Sequence, residues 1–355
     1  MLQQMSLSRR QLLAGTGGLL ACACGSSPSV PSETELIARS AAEEWALRPD
    51  IMTYEIPGVS APHYAEACTA LGVSRLARTL NDPALLDLVR ERWRRASAMP
   101  NTLNHVDANL IGIWAMATGE DEQLAQGISM ADAQWEQIGE DGLTVQARYW
   151  IDDVYMIGVL QAEAYRVSGE PRFVDRAALM AERYLARVQQ PSGLFHHGPE
   201  APFFWGRGNG WVAAGLAEII AVMPTDHPRH SVVLGGYRKM ADALAETQRD
   251  EGLWGQLIDY PDAWSESSGS AMFAYSLLRG ANSGRLPARF ATIAEDAWEG
   301  LKSKLDTDGR LRDVCVGTGQ SQDAGYYLER PRVTGDLHGQ APLLWLCAER
   351  LSAGV

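Results

Sequence analysis

Two adjacent carboxylates, Asp152 and Asp153, follow Trp150 and Ile151 at the start of an apolar segment. Acidic residues are common at helix N-termini, where a carboxylate can accept backbone hydrogen bonds and complement the helix dipole. One carboxylate can therefore cap the helix while the other points into a pocket. The alternative is that both are caps, and the motif alone leaves the two interpretations open.

A second motif, at residues 203–211, reads Phe-Phe-Trp-Gly-Arg-Gly-Asn-Gly-Trp. Tryptophan faces stack on sugar rings, and arginine can grip a carboxylate through two parallel hydrogen bonds. The glycines let the backbone approach closely, but their spacing and the lack of a preceding strand exclude a dinucleotide-binding loop. We expect a binding site that includes Trp205, Arg207, Asn209 and Trp211.

Other polar segments also precede apolar helices. The pair His196 and His197 lies beside the aromatic, glycine-rich loop, although a single histidine is more often structural. Ser267 and Ser268 carry hydroxyls suited to sugar hydroxyls, and either one is also expected to cap the following helix. Three residues in weaker motifs complete the candidate site: Asp107, Arg332 and His338.

Hydrophobic periodicity predicts helices almost throughout, with the first opened by a capping box at residues 32–35. Amphipathic helices, which belong outside, alternate with helices that are apolar all round and belong inside. Similar turns recur at intervals of about 50–60 residues, and their glycines can adopt the left-handed conformation that ends a helix. These turn glycines are Gly142, Gly193, Gly252 and Gly309.

About six outer–inner hairpins fit into the folded part of the chain at this period. Closed on themselves, they predict an all-α fold, an (α/α)6 barrel of six helical hairpins. An open solenoid is the alternative, but neither end carries an obvious polar capping repeat. In a closed barrel, the loops that carry the unusual residues surround one mouth, which is a natural concave site.

The chain has 355 residues and a formal net charge of −13, which argues against nucleic acid and anionic membrane surfaces as partners. An anionic substrate would need locally placed arginines. The three cysteines of the folded part, Cys68, Cys315 and Cys347, do not form a disulfide framework or a zinc-binding spacing.

The N-terminus predicts export. A twin-arginine start at residues 8–13 precedes an apolar stretch that is too short to span a bilayer and ends in a lipobox. Cys22 would be the lipidated residue, and cleavage after Ala23 is the competing interpretation. We therefore predict a signal segment at 1–23, a flexible tether at 24–31 and a catalytic domain at 32–355. The protein would be periplasmic or a membrane-anchored lipoprotein, with membrane contact only through the lipid.

Taken together, the motifs resemble glycoside hydrolase family 105, the unsaturated rhamnogalacturonyl hydrolases, which are related to the unsaturated glucuronyl hydrolases of family 88. Residues 150–156, 193–197, 205–211 and 266–272 carry the resemblance. It runs in order from about residue 107 to 338, and 205–211 is its most specific part. The family fold is an (α/α)6 barrel, in agreement with the repeat analysis.

The resemblance implies removal of a terminal 4,5-unsaturated uronic acid, galacturonyl or glucuronyl, from oligosaccharides made by polysaccharide lyases. An acid protonates C4 of the vinyl ether, water adds at C5, and the hemiketal opens to release the remaining sugar. Ordinary glycosidases instead use two carboxylates at the anomeric centre. In the family, one residue serves first as acid and then as base for the water.

By this resemblance, Asp152 matches the catalytic acid/base, since Asp153 falls where relatives often carry glycine. Asp107 matches a second pocket carboxylate, which would raise the pKa of Asp152, whereas the helix N-terminus would lower it. The substrate-binding residues are predicted to be Trp150, His197, Trp205, Arg207, Asn209, Trp211, Ser267, Ser268, Arg332 and His338.

Two arginines are candidates for binding the uronate carboxylate, first Arg207 and then Arg332. No metal or organic cofactor is implied, and the expected partner is an acidic oligosaccharide. Two other functions are compatible with these residues. One is a different (α/α)6 carbohydrate enzyme, such as a polysaccharide lyase or a conventional glycosidase, and the other is a non-catalytic glycan-binding lipoprotein.

Overall fold

The structure is a computed structural model that describes residues 31–54, 61–101 and 105–354. The chain divides into a unit of Met1–Ser32 and a second unit of Glu33–Val355. The predicted signal segment at 1–23, the lipidation of Cys22 and nearly all of the predicted tether at 24–31 lie outside the described residues. They stay predictions.

Helices dominate the described part of the chain. In chain order, its elements are α1 (Glu33–Leu47), α2 (Tyr64–Leu80), α3 (Pro83–Ser97), α4 (Val106–Asn109), α5 (Ile111–Ala117), α6 (Asp121–Ala133), α7 (Asp153–Met156), α8 (Gly158–Ser168), α9 (Pro171–Val188), α10 (Gly206–Val222), α11 (His230–Thr247), β1 (Trp254–Gly255), β2 (Ser265–Glu266), α12 (Ser267–Asn282), α13 (Arg289–Lys302), β3 (Val314–Cys315), α14 (Ala324–Leu328), β4 (Arg332–Val333) and α15 (Leu337–Ala353). β1 pairs with β2 and β3 with β4, both antiparallel.

The helices fall into an inner and an outer set. The inner set, α2, α4–α5, α7–α8, α10, α12 and α15, is buried on nearly all sides. The outer set, α1, α3, α6, α9, α11 and α13, buries one face, as α9 does with Phe173, Ala177 and Met180. This is the expected consequence of an amphipathic pattern beside an apolar one. No helix in the described ranges is long and apolar enough to cross a membrane.

The inner helices form a closed ring. Each packs against the next one along the chain, and the last, α15, packs against α2 and also contacts α1. The outer helix of each hairpin covers the inner ring from outside. The predicted (α/α)6 barrel is therefore confirmed, and the ring excludes an open solenoid.

The four repeated turn glycines all have positive φ angles, between 74° and 100°. They do not end the helices as predicted, because each lies several residues beyond the preceding helix, inside a tight turn closed by backbone hydrogen bonds. A Cβ at Gly252 would stand 2.1 Å from the Asp296 carbonyl oxygen in α13. At Gly309 it would stand 2.7 Å from Ser40 Oγ in α1. The turns therefore dock on the next outer helix of the ring.

The glycine-rich motif lies in a helix and not in a loop, because α10 begins at Gly206. Its glycines allow close packing between α10 and α12. A Cβ at Gly210 would meet Met272 Sδ at 2.7 Å and Gly269 Cα at 3.1 Å. This contact between helices outweighs the low helix propensity of glycine, so the helix includes glycines that the sequence analysis expected in a loop.

Candidate active site

The N-terminal ends of the inner helices meet at one mouth of the barrel. Tyr64 opens α2, and its hydroxyl lies 2.7 Å from Nε2 of His338 in α15. Burial raises the pKa of Tyr64, and the charges of Arg207, Asp107 and Asp152 act on the same hydroxyl. The structure therefore brings together residues from α2, α4, α7, α10 and α15.

The two adjacent carboxylates have different surroundings. Asp153 is fully buried and accepts hydrogen bonds from Nε (2.9 Å) and the backbone nitrogen (2.8 Å) of Arg148, and from the Tyr184 hydroxyl (2.8 Å). Burial raises its pKa to about 6 despite these donors. Asp152 stands at the N-cap position of α7 without a side-chain capping bond. Neither carboxylate caps the helix, so the expected cap is wrong.

Asp152 faces His197. Its Oδ2 lies 3.7 Å from the imidazole Nε2, and neither atom has a hydrogen-bond partner among the described residues. Burial acts to raise the pKa of Asp152, but the nearby imidazole and the Arg148 guanidinium outweigh it, so the pKa lies below its ordinary value. The charge-stabilising groups around Asp152 thus favour its ionised form in the free protein.

Asp107 lies on the other side of Arg148, whose Nη2 is 3.1 Å from Asp107 Oδ1 and 2.5 Å from Asp153 Oδ1. Burial raises the pKa of Asp107, Arg148 and His105 oppose this, and the negative charge of Asp152 adds to the rise. The expected like-charge interaction between the two carboxylates is present. It leaves the proton more tightly held on Asp107 than on Asp152.

His197 is held from both sides. Its Nδ1 lies 2.8 Å from the Tyr327 hydroxyl, and its ring packs on Trp205 with centroids 4.6 Å apart. Its carbonyl accepts the Ile151 N–H, which ties it to the start of α7. Trp205 and Tyr327 belong to a small apolar cluster built by the loops at this mouth, together with Leu257. This cluster fixes the imidazole beside Asp152.

Arg207 is buried, and its guanidinium is largely engaged. Its two Nη atoms donate to the carbonyls of Cys315 and Val316 in the β3 segment. Its Cζ lies 4.9 Å from the centroid of the Trp205 ring. Its Nε has no hydrogen-bond partner among the described residues. The expected two-bond grip on a carboxylate is therefore not available in this arrangement, and Nε is the donor that remains.

The tryptophans differ in exposure. Trp150 is partly exposed and lies edge-on to His197, with centroids 5.6 Å apart. Trp205 and Trp211 are buried, so in this state they do not present a face to a sugar, as the sequence had suggested. Trp211 packs instead against Tyr155 and Trp345 inside the barrel. Because Trp211 lies in the helix α10 and not in a loop, its side chain points into the core of the barrel.

Asn209 is a structural residue in this arrangement, contrary to the prediction that it binds substrate. Its Oδ1 accepts the Phe195 N–H, and its Nδ2 donates to the carbonyls of Phe195 and Trp205. All of these bonds go to backbone, and the side chain is fully buried. Asn209 therefore connects α10 to the segment that carries His197.

The serines are also buried. Ser268 donates to Glu266 Oε1 at 2.6 Å, while Ser267 Oγ has no hydrogen-bond partner in the described part of the chain. The cap of α12 is Glu266, which accepts the backbone N–H groups of Ser268 and Gly269, so the predicted serine cap is wrong. A carboxylate that reaches two N–H groups displaces the shorter serine from this role.

Arg332 and His338 have separate environments. Arg332 is exposed, with its guanidinium 5.2 Å from the Trp264 ring centroid and 3.7 Å from Asp313. None of these contacts links it to Asp152. His338 is buried at the barrel mouth, with both ring nitrogens engaged, one by Tyr64 and the other by Asp336.

Sequence reasoning assigned no role to Tyr64, Arg148 or Tyr327. Each acts through a partner from a distant segment, so no local motif marked it.

Beside Arg148 and His105, a cavity of about 480 Å³ opens between α4 and the end of α6, lined also by Gln134 and Thr144. Its size is that of a small-ligand pocket.

The described residues contain no group of three histidine, cysteine or acidic side chains arranged to hold a metal ion. The arrangement that they do contain is Asp152 beside the His197 imidazole, Asp107 with a raised pKa, and Arg148, which binds both Asp107 and Asp153. Such a set can store and transfer a proton at the mouth of a barrel.

The chain belongs to Glycosyl Hydrolase Family 88, whose model matches residues 36–353. The fold and the family match are therefore those of a glycoside hydrolase, and the resemblance inferred from the motifs is confirmed. Among solved structures, the fold of this chain is similar to that of a possible member of the GH105 family from Salmonella enterica serovar Paratyphi A. The TM-score is 0.81 at 19% identity, covering 91% of this chain and 94% of that one.

Two relatives in the sequence comparison have names that specify a substrate. The chain is 26% identical over 190 residues to the unsaturated rhamnogalacturonyl hydrolase YesR of Bacillus subtilis, covering 51% of this chain and 54% of that protein. It is 29% identical over 180 residues to an unsaturated 3S-rhamnoglycuronyl hydrolase of an Alteromonas species, covering 46% and 43%. The matches thus span about half the length of these relatives.

Proposed function

We propose that this protein removes a terminal 4,5-unsaturated uronic acid from lyase-generated oligosaccharides by hydrating the double bond, with Asp152 as general acid and base. The observation that carries the proposal is the facing pair of Asp152 Oδ2 and His197 Nε2, two buried polar atoms without hydrogen-bond partners among the described residues. Buried polar atoms usually have partners. A substrate bound between them would supply these.

The proton that reaches C4 comes from Asp152 once substrate is bound. In the free protein, the pKa of Asp152 is lowered by His197 and Arg148, which outweigh burial. A uronate carboxylate brings a negative charge into the site and would raise that pKa, because a like charge disfavours the ionised acid. Asp107 acts in the same direction. After donating the proton, the ionised Asp152 serves as the base for the water that adds at C5.

The net charge of −13 would repel an anionic sugar, so local cations must bind it. Arg207 is the residue that we assign to the uronate carboxylate, through its Nε, which has no partner within the described residues. Trp150, partly exposed and edge-on to His197, would contact the sugar ring. Arg332 is the weaker candidate because it is exposed and its contacts lie with Trp264 and Asp313.

The cavity beside Arg148 and His105 would hold the leaving saccharide. It has a volume of about 480 Å³ and is lined by polar side chains, including Gln134, Gln146 and Thr144. Amide and hydroxyl groups suit the hydroxyls of a neutral sugar. Gln134 Nε2 is buried without a partner in the described ranges and is a donor for such a hydroxyl.

Export by the twin-arginine route and lipidation at Cys22 are part of the same proposal, supported by the order of arginines, apolar run and cysteine in residues 8–22. A Cys22→Ala variant should move the protein from the membrane fraction to the soluble periplasmic fraction. Membrane recovery of that variant equal to wild type would contradict lipidation at this residue.

The activity is tested by the ultraviolet absorbance of the substrate double bond. Lyase digests of pectin, ulvan, arabinogalactan and glycosaminoglycans should be screened, together with the intact polysaccharides. An unsaturated uronyl hydrolase consumes the absorbance of a digest, whereas a lyase creates absorbance from intact polymer. Saturable binding without any change in absorbance would indicate a glycan-binding protein and overturn the proposal.

A further inference from the structure

Tyr149 has a backbone conformation that residues with bulky side chains rarely adopt. Its φ is 57°, in the left-handed region, which a bulky L-residue enters only at a cost in free energy. It lies between Arg148 and Trp150, in the segment that leads to Asp152 at the start of α7. Such a conformation persists only where the surrounding contacts stabilise it. The contacts of Tyr149 therefore show what depends on this turn.

The backbone N–H groups at this turn point toward one carboxylate. The Arg148 N–H donates to Asp153 Oδ2 at 2.8 Å, and the Tyr149 N–H donates to the Tyr184 hydroxyl at 2.8 Å. That hydroxyl in turn donates to Asp153 Oδ2 at 2.8 Å. Successive N–H groups that converge on an anion form a concavity, which a left-handed residue makes possible. The conformation of Tyr149 therefore anchors this segment on Asp153.

The side chain of Tyr149 holds the backbone in this conformation. Its ring stacks on Tyr184, with centroids 4.8 Å and planes 15° apart. Its hydroxyl donates to Asp141 Oδ2 at 2.6 Å, and the Arg187 guanidinium lies 4.2 Å from the ring centroid. A glycine would adopt the same φ without strain but would make none of these contacts and could leave the conformation easily. The tyrosine is therefore locked in the left-handed conformation.

The neighbours of Tyr149 on both sides belong to the candidate active site. The Arg148 guanidinium lies 4.9 Å from the centroid of the Trp150 ring and binds both Asp107 and Asp153. The Tyr149 ring lies on the other side, against residues of α9. The turn thus brings the side chains before and after Tyr149 together in the site, while its own side chain packs on the outer helix.

We propose that Tyr149 is a positioning residue, whose locked left-handed backbone holds Arg148 and Trp150 in the active site. It acts through these two neighbours and does not bind substrate itself. The backbone anchor needs an acceptor at the Oδ2 position of Asp153, and an amide oxygen there would still accept both hydrogen bonds. The inference rests on the proposed function.

The test compares Tyr149→Val and Tyr149→Gly with wild type on an unsaturated oligosaccharide that the protein consumes. Both variants lose the ring contacts, but only the β-branched valine strongly disfavours the left-handed conformation. Tyr149→Val should therefore lower kcat at least about tenfold, because misplaced active-site groups slow the reaction. Tyr149→Gly should keep kcat within about threefold of wild type. Tyr149→Ala, with less strain, replaces the valine variant if that does not fold and should lie between the two.

The pH profile gives a readout that a purely structural role would not move. Burial acts to raise the pKa of Asp152, and His197 and the charge of Arg148 lower it, while the charge of Asp107 opposes them. Displacement of Arg148 in Tyr149→Val should therefore raise the pKa of Asp152. Because the proposed reaction needs Asp152 protonated, the fall of kcat/KM should begin at a higher pH in this variant than in wild type. Tyr149→Gly should keep the wild-type profile.

Asn81→Val is the matched control for backbone strain. Asn81 also has a left-handed conformation, with a φ of 51°, and it is the C-cap of α2, at the end of that helix remote from the barrel mouth. The variant should lower the melting temperature and leave kcat and the pH profile unchanged.

The failure of this inference and that of the proposed function are distinguishable. An active wild-type protein whose Tyr149→Val and Tyr149→Ala variants keep its kcat and pH profile would overturn the positioning role and leave the proposed function standing. Equal losses of kcat in Tyr149→Val and Tyr149→Gly would also overturn it, because the backbone conformation would then not matter. Wild-type protein that consumes no unsaturated substrate would overturn the proposed function, and with it this inference.

Discussion

Nε2 of His197 lies 3.7 Å from Oδ2 of Asp152, a separation too long for a normal hydrogen bond, and neither atom has another partner among the described residues. The Tyr327 hydroxyl lies 2.8 Å from the other ring nitrogen. The imidazole is therefore fixed in place, and together with Arg148 it outweighs burial and lowers the pKa of the carboxylate that the proposed chemistry uses.

Replacing Asp152 by Asn should abolish turnover and keep the fold, because the amide has the same shape but cannot donate and recover a proton. We expect kcat to fall by at least about 100-fold, the usual size of general acid–base catalysis. Loss of double-bond absorbance and the melting temperature should be measured together. Asp153→Asn is the matched comparison. Asp153 accepts hydrogen bonds from Arg148 and Tyr184, so its replacement should lower mainly the melting temperature. Wild-type rates in Asp152→Asn would refute the assignment.

Replacing His197 by Gln should shift the pH profile of kcat/KM upward. His197 lowers the pKa of Asp152, so its removal raises that pKa. The reaction needs Asp152 protonated, and activity therefore falls as pH rises through this pKa. In the variant, the fall should begin at a higher pH than in wild type. An unchanged profile would mean that the imidazole does not act on Asp152.

Replacing Asp107 by Asn should shift the same profile downward. The charges of Asp107 and Asp152 repel each other, and the charge of Asp152 adds to the rise in the pKa of Asp107 that burial causes. Removing one charge makes ionisation of the other easier, so the pKa of Asp152 falls further. The pH profile of kcat/KM checks the sign, which should be opposite to that of His197→Gln. A shift in the same direction for both variants would contradict the proposed electrostatics.

Replacing Gly252 by Ala should destabilise the barrel by about 1–3 kcal/mol, since its φ of 80° strains an L-residue and the new Cβ would stand 2.1 Å from the Asp296 carbonyl oxygen. Gly235→Ala, in the helix α11 with no atom within 4 Å of the added Cβ, is the control and should stabilise by up to about 1 kcal/mol. Chemical denaturation measures both. Equal stability of the two variants would show that the turn does not depend on docking.

The barrel was predictable because amphipathic outer helices and apolar inner helices alternate along the sequence. Both this alternation and the turn glycines are local signals. The exact helix boundaries were not predictable, because Gly206 and Gly210 lie inside α10, where they allow its close contact with α12. That contact joins segments far apart in sequence. Propensity alone places such glycines in a loop.

For the site, sequence motifs predicted Asp152, Asp107 and His197, and the structure brings these three residues near one another, while their roles stay predictions. They could not identify Tyr64, whose relevance depends on its pairing with His338 across the closed ring. Residue type also misled at Asn209, because an amide that bonds only to backbone looks the same in sequence as one that binds a ligand.

The hydrogen bond from the Ser40 hydroxyl to the Asp308 carbonyl joins the last turn of the ring to its first outer helix, as α15 and α2 join its inner helices. A linear array of repeats can fray from its terminal units, since each end has only one neighbour. In this molecule every hairpin has two. Loss of any single hairpin therefore exposes two interfaces at once, and unfolding should proceed as one cooperative transition without a stable partly unwound form.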